Sequence, residues 1–185
     1  MDGNVFIQML FLLGPAGIAN SVAVVGNKMP YLKNWTTPMD FGLKFKNQRI
    51  LGNHKTWRGL MLGIIGGCLT GILILYLINQ FDYFRQELGF IEQVINPILL
   101  GGLLGFFALF GDALKSFFKR QLKIPPGKSW PVFDQIDYIL GSYLLILILF
   151  DLSLTYYLVG LIMYALIHPL ISNLGYILRL KKDRF

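Results

Sequence analysis

The residues best suited to chemistry lie between Gly111 and Ser142, in the stretch G-D-A-L-K-S-F-F-K-R-Q-L-K-I-P-P-G-K-S-W-P-V-F-D-Q-I-D-Y-I-L-G-S. Asp112, Lys115, Ser116 and Lys119 are spaced i, i+3, i+4 and i+7, so a helix puts one acid, two amines and a hydroxyl on a single face. Asp134 and Asp137 follow at i, i+3 and share a face of their own. Three carboxylates able to converge make a hard-oxygen ligand set suited to Mg2+. The surrounding amines suit a polyphosphate. The combination points to metal-assisted phosphoryl or nucleotidyl transfer. Blander explanations stand beside it: Asp112 can pair with Lys115 or Lys119, and an Asp near a helix N-terminus can be a cap. No G-x-x-x-x-G-K-[ST] phosphate loop is present, and one Cys with two His leaves no zinc site of the usual kind. No Ser–His–Asp arrangement is apparent. His168-Pro169 reads as a kink with a satisfied histidine.

The elements that must position these groups are hydrophobic. The chain has 185 residues, of which 55% are hydrophobic and 15% charged, against about 25% charged in a soluble domain. Val5 to Gly26 has no charge, Trp57 to Ile78 only Arg58, Ile95 to Leu114 only Asp112, and Leu154 to Leu178 none but His168. Each is long enough to cross a bilayer, which takes roughly 20 apolar residues. Tyr138 to Phe150 is shorter and becomes a span if Asp134 and Asp137 sit at its end. The expectation is therefore an all-α integral membrane protein forming a single membrane domain. Five transmembrane helices are expected at about 5–26, 57–79, 95–118, 134–151 and 154–179. The first lacks a basic leader region and a clean cleavage site, and reads as retained. The lone Cys68, inside the second span, reads as a packing residue.

Charge orients the spans. Residues 27–56 carry Lys28, Lys33, Lys44, Lys46, Arg49 and Lys55 against Asp40, and residues 119–133 carry Lys119, Arg120, Lys123 and Lys128. The tail adds Arg179, Lys181, Lys182 and Arg184. Between the second and third spans, Asp82, Glu87 and Glu92 face Arg85 alone. Basic loops stay in the cytoplasm, which puts the N-terminus outside, the C-terminus inside, and 27–56 and 119–133 as cytoplasmic loops. Of 17 Lys and Arg residues, only Arg85 then falls outside. Most of that bias is orientation and attraction to anionic lipid. Small residues, among them Gly63, Gly67, Gly71, Gly101 and Gly105, permit close helix approach.

Ser116-Phe117-Phe118-Lys119-Arg120 followed by Asp134-Gln135-Ile136-Asp137, with Asp112 upstream, resembles the S-x-x-K-R and D-x-x-D elements of the CTP:phosphatidate cytidylyltransferase superfamily. The archaeal branch, the CDP-archaeol synthases, is more similar still. Its pattern is matched by Pro15 with Ala19-Asn20, by Pro38-Met39-Asp40 with Gly42, and by Leu51-Gly52 with Lys55-Thr56 and Arg58-Gly59. Pro125 through Asp137 complete it, so the resemblance covers roughly Pro15 to Ser142. The K-D and H-G-G elements of the bacterial signature are replaced here by Ile124-Pro125-Pro126-Gly127-Lys128-Ser129-Trp130. This favours the archaeal substrate, 2,3-bis-O-geranylgeranylglyceryl phosphate, over diacyl phosphatidic acid.

The resemblance implies Mg2+-dependent cytidylyl transfer from CTP at the cytoplasmic face of the cell membrane. CTP, an isoprenoid ether-lipid phosphate and the bilayer would be the partners, with no nucleic acid. Asp112, Asp134 and Asp137 would hold one or two cations and, with Lys119, form the catalytic set. Lys55, Thr56, Arg58, Lys115, Ser116, Arg120 and Lys128 would bind the nucleotide or the lipid phosphate, with Asp40 and Asn20 as lesser candidates. Two competing readings remain at this level. A CTP-dependent polyprenol kinase has a similar acid–basic arrangement. A small non-enzymatic membrane transporter would use Asp112 for coupling, although such sites usually lie near the midplane.

Overall fold

A computed structural model of the chain describes residues 3–26, 29, 31, 32, 34–125, 128, 130 and 133–177. The chain runs α1 (Val5–Val25), β1 (Lys44–Phe45), β2 (Gln48–Arg49), α2 (Trp57–Gln80), α3 (Asp82–Val94), α4 (Pro97–Gln121), α5 (Phe133–Leu149) and α6 (Leu154–Ile177). Four of these helices are long and apolar enough to cross a membrane, counting α6 over Leu154–Ile171. With 17 residues, α5 rises about 25 Å, against about 30 Å of hydrocarbon.

Local sequence explains the helix starts. Asn4 caps α1 by accepting from the Phe6 and Ile7 amides, and Asn96 caps α4 by accepting from Ile98 and Leu99, with Pro97 in the first turn where no amide is needed. Thr56 caps α2 through the Gly59 amide at 3.2 Å. Pro15 lies inside the continuous α1, and Tyr164 of α6 donates to the Leu10 carbonyl at 2.6 Å, one turn before that proline. A second polar tie links the same helices inside the apolar core: Tyr156 donates to Gln8 at 2.8 Å. Such pairs hold helices together where lipid provides no hydrophobic drive between them.

Two elements differ from the sequence expectation. The segment after α2, expected as an outer loop, forms the amphipathic helix α3, with Leu88 and Ile91 buried and Glu87 accepting from the Asn4 amide at 2.7 Å. The first basic loop is not all irregular either. β1 and β2 form a short antiparallel hairpin, and its turn residues Lys46 and Asn47 have φ of 48° and 64°, as tight two-residue hairpin turns require. The hairpin is rooted on α2: Pro38 bridges Thr56, and the Met39 amide donates to the Lys55 carbonyl at 2.8 Å.

Glycine decides how the helices meet. α4 packs against α1, α2 and α5. A side chain on Gly67 of α2 would collide with the Gly101 backbone of α4, and one on Gly111 of α4 would collide with the Asp137 carbonyl of α5. Gly141 meets α4 reciprocally, at the Phe107 carbonyl and the Gly111 backbone. Each helix-interior glycine costs roughly 1 kcal/mol of intrinsic helix stability. The backbone contact it permits is what brings Asp112, next in sequence to Gly111, against Asp137.

Candidate active site

The α4–α5 crossing ends in a cluster of three carboxylates and three amines. Lys115 stands at its centre: its Nζ lies 3.2 Å from Asp112 Oδ1 and 2.9 Å from Asp134 Oδ1, and it also pairs with Asp137. Lys119, one helical turn further on, donates to Asp134 at 3.3 Å and to the Lys128 carbonyl at 2.6 Å. Lys55 pairs with the other oxygen of Asp112 from across the first basic loop. Asp137 is 7% exposed and Lys119 8%. Charges this far from water persist only when paired. Three carboxylates there face three amines.

The loop before α5 closes on the same cluster. The Trp130 amide donates to Asp134 Oδ2 at 2.5 Å, the Asp134 amide donates back to the Trp130 carbonyl at 3.0 Å, and the Trp130 ring packs on Phe133 at 4.5 Å. Asp134, in the first turn of α5, therefore ties the preceding loop to the helix start while also facing Lys115 and Lys119. Pro126, Gly127, Ser129, Pro131 and Val132 of this loop lie outside the described residues, as do Lys28, Lys33 and the tail lysines and arginines.

Other residues singled out from the sequence have different surroundings. Ser116 donates to the Asp112 carbonyl at 2.9 Å, within its own helix. The Thr56 hydroxyl caps α2. Arg58 is 3% exposed, and its Nη1 donates to the Leu32 carbonyl at 2.8 Å, holding the loop after α1 onto α2. Arg120 is half-buried near the end of α4, and Lys128 is exposed. Beside Asp112 and Lys55 opens a cavity of about 80 Å³ whose walls include Asn20 of α1, Met39, His54 and Leu109. His54 is a wall residue that motif matching did not single out; its place beside Lys55 was the available signal. The Lys55–Asp112 contact, joining residues 57 apart, had no sequence signal beyond opposite charge.

Asp40 organises the loop that delivers Lys55. Its carboxylate accepts from Arg49 Nη2 at 2.7 Å and from the amides of Leu51 at 2.9 Å, Gly42 at 3.1 Å and Gly52 at 3.2 Å. Gly42 and Gly52 both have positive φ, of 88° and 93°, which bends their amides inward at no steric cost. Burial pushes the Asp40 carboxyl up, but Arg49 and the three amides outweigh it and hold the group down at about 2.

Hard carboxylate oxygens fit a divalent cation in chemistry, and here they already surround one positive charge, the Lys115 ammonium. Among the described residues, no three His, Cys, Asp or Glu side chains stand as a ready-made metal cage. The donor set is present, with an amine at its centre.

Fold and site together define a multi-helix membrane protein with a buried acid–amine centre at one end of its helices. Comparison with known proteins gives the family. A family model described as CarS-like, CDP-archaeol synthase, matches residues 3–185, and the chain belongs to that family. It is 35% identical over 169 residues to the CDP-archaeol synthase of Methanoregula boonei, covering 87% of this chain and 97% of that protein. Over 184 residues it is 35% identical to the CDP-archaeol synthase of Thermofilum pendens, covering 97% and 80%. Its fold superposes with a TM-score of 0.72 and 25% identity on the structure described as an intramembrane enzyme for archaeal membrane lipids biosynthesis, over 93% of this chain and 96% of that one.

Because its carboxyl is depressed in the fold, Asp40 contributes stability that is complete above the ordinary Asp value of about 4. That contribution is lost as pH falls through about 2. Hydrogen exchange checks this: the Gly42, Leu51 and Gly52 amides should be protected from pH 7 down to about 4 and lose protection below it. In Asp40→Asn they should exchange at least about tenfold faster at pH 7. Equal protection in the variant would remove Asp40 from its role.

Proposed function

We propose that the chain transfers a cytidylyl group from CTP to 2,3-bis-O-geranylgeranylglyceryl phosphate, giving CDP-archaeol and pyrophosphate in membrane phospholipid biosynthesis. Family membership gives the reaction class. The observation that carries the assignment to a site is the convergence of Asp112, Asp134 and Asp137 with Lys55, Lys115 and Lys119 at one end of the helices. A phosphate oxygen of the lipid attacks the α-phosphorus of CTP. The new P–O bond forms as the bond to the β-phosphate oxygen breaks, and pyrophosphate leaves. A phosphomonoester has its second pKa near 6, so the nucleophile is already anionic near neutrality and needs no strong base.

The residues then act by position and charge. Lys119, Arg120 and Lys128 would neutralise a triphosphate entering from the loop side. Lys55, on a loop held by Asp40, faces the small cavity with Asn20 and His54 and would meet the second phosphate. Thr56 and Arg58 serve from behind, by fixing the start of α2 and the loop that α2 carries. Asp112, Asp134 and Asp137 would hold Mg2+ in exchange for the Lys115 ammonium. The ion would supply charge neutralisation to the phosphates.

The proposed topology has five spans, with α5 the short fifth, the N-terminus outside and the C-terminus in the cytoplasm. It places the site at the cytoplasmic face of the cell membrane. The asymmetry of the basic residues supports it.

Product analysis tests the reaction. Purified protein given CTP, Mg2+ and the lipid phosphate should yield the CDP-lipid and pyrophosphate in equal amounts. A product one phosphate heavier than its acceptor, with CDP released, would instead identify a kinase. Topology is tested in a Cys68→Ala background with single cysteines at the exposed positions Gln86 and Asn34. A membrane-impermeant thiol reagent applied outside should label the first and not the second. Labelling of both from one side refutes the arrangement.

A further inference from the structure

The hairpin between α1 and α2 carries more apolar surface than a water-facing loop needs. Phe41, Leu43 and Phe45 are 68%, 61% and 48% exposed, and Lys44 and Lys46 between and beside them are exposed as well. None of the contacts already described uses these side chains: the loop is held by Asp40, Arg49 and backbone amides, and its root by the Pro38–Thr56 bridge. The tip is also not free to stand away from the helices. The Phe45 ring meets Phe117 of α4 at 6.1 Å, and Phe41 meets Trp57, the first residue of α2, at 6.1 Å.

Those two contacts set the height of the tip. It lies level with the first turn of α2 and the last turns of α4, where membrane-spanning helices emerge into the headgroup region. Phe117 sits at the end of an outward face of α4 that runs through Phe106, Phe110, Leu114 and Phe118, all exposed and recurring at the spacing of one helical face. In a membrane-spanning helix an exposed apolar face of this kind suits contact with lipid. The hairpin continues the apolar face past the end of the helix and adds amines where the anionic headgroups begin. An aromatic and aliphatic tip beside lysines is the composition that binds an anionic interface, with the rings in the acyl boundary and the amines among the phosphates.

We infer that the Phe41–Lys46 hairpin tip is a membrane-docking element that inserts into the anionic headgroup layer of the leaflet into which the acid–amine site opens. The inference rests on the membrane-embedded fold and not on the proposed reaction. Docking ties the loop that carries Lys55 to the bilayer surface, and so fixes the height of Lys55 and Asp112 relative to the layer in which a lipid phosphate lies.

The test uses the full chain with Cys68→Ala and a nitroxide on Leu43→Cys, reconstituted in nanodiscs of phosphatidylglycerol or of phosphatidylcholine. Power saturation compares relaxation by oxygen, which concentrates in lipid, with relaxation by a water-soluble nickel chelate. In phosphatidylglycerol the label should be relaxed mainly by oxygen. In phosphatidylcholine, or at high salt, it should shift toward the chelate. Lys44→Gln/Lys46→Gln should lower the immersed-to-exposed ratio in phosphatidylglycerol by roughly tenfold or more. These residues lie outside the acid–amine cluster, and power saturation reads the depth of the label whether or not the proposed reaction occurs, so failure of docking and failure of the reaction are told apart. Chelate-dominated relaxation in both lipids overturns the inference, and so does immersion indifferent to lipid charge and to the two lysines.

Discussion

Everything at the site depends on charge balance inside the crossing of α4 and α5. Gly111 and Gly141 let the two backbones touch, and that contact brings Asp112 and Asp137 together around Lys115. Half-buried Asp112 and buried Asp137 repel, and a third carboxylate, Asp134, lies within reach of the same nitrogen. Lys115 makes the arrangement possible by placing one ammonium among all three. Breaking a buried pair by removing one partner costs about 3–5 kcal/mol, a large part of the total stability of a typical domain. Gly111 and Gly141 permit the close approach, and the pairing with Lys115 makes it tolerable for the acids it brings together.

That balance is also a useful starting point for chemistry. A cluster of paired acids and amines can take up a triphosphate and a cation by exchanging partners rather than by building charge from nothing. Preorganised charge of this kind needs little rearrangement at the moment of reaction. Three separate segments must hold their register for it. α4 supplies Asp112, Lys115 and Lys119. The start of α5 supplies Asp134 and Asp137. The loop folded around Asp40 brings Lys55. The hairpin on that loop reaches back to α4 through Phe45 and Phe117, so the loop is anchored at its root, its centre and its tip.

Much of this was legible in the sequence because membrane proteins write their physics plainly. Uncharged runs longer than a bilayer is thick point to helices, and the i, i+3, i+4, i+7 spacing alone puts Asp112, Lys115, Ser116 and Lys119 on one face. Spacing cannot say what a residue faces. Ser116 bonds its own helix, and Arg58 holds a backbone carbonyl in the loop after α1. The Lys55–Asp112 pair was invisible because two of several basic segments could have met that acid, and only the packing of α2 on α4 through Gly67 and Gly101 chooses one. Helix α3 was hidden by its charges: Asp82, Glu87 and Glu92 read as a loop, while Phe84, Leu88 and Ile91 recur at helical spacing and pack inward. The hairpin was hidden for the opposite reason, because strands of two residues carry too little pattern to register.

The central claim is that the carboxylates gathered around Lys115 make the reaction centre and not merely a structural ion-pair network. The most direct measurement is the rate at which label passes from the α-phosphate of CTP to the lipid phosphate in Asp137→Asn, with helical content and detergent-phase melting recorded alongside. If the carboxylates are the reaction centre, transfer falls by about 100-fold or more while the variant remains folded. Wild-type transfer in a folded Asp137→Asn protein would contradict it.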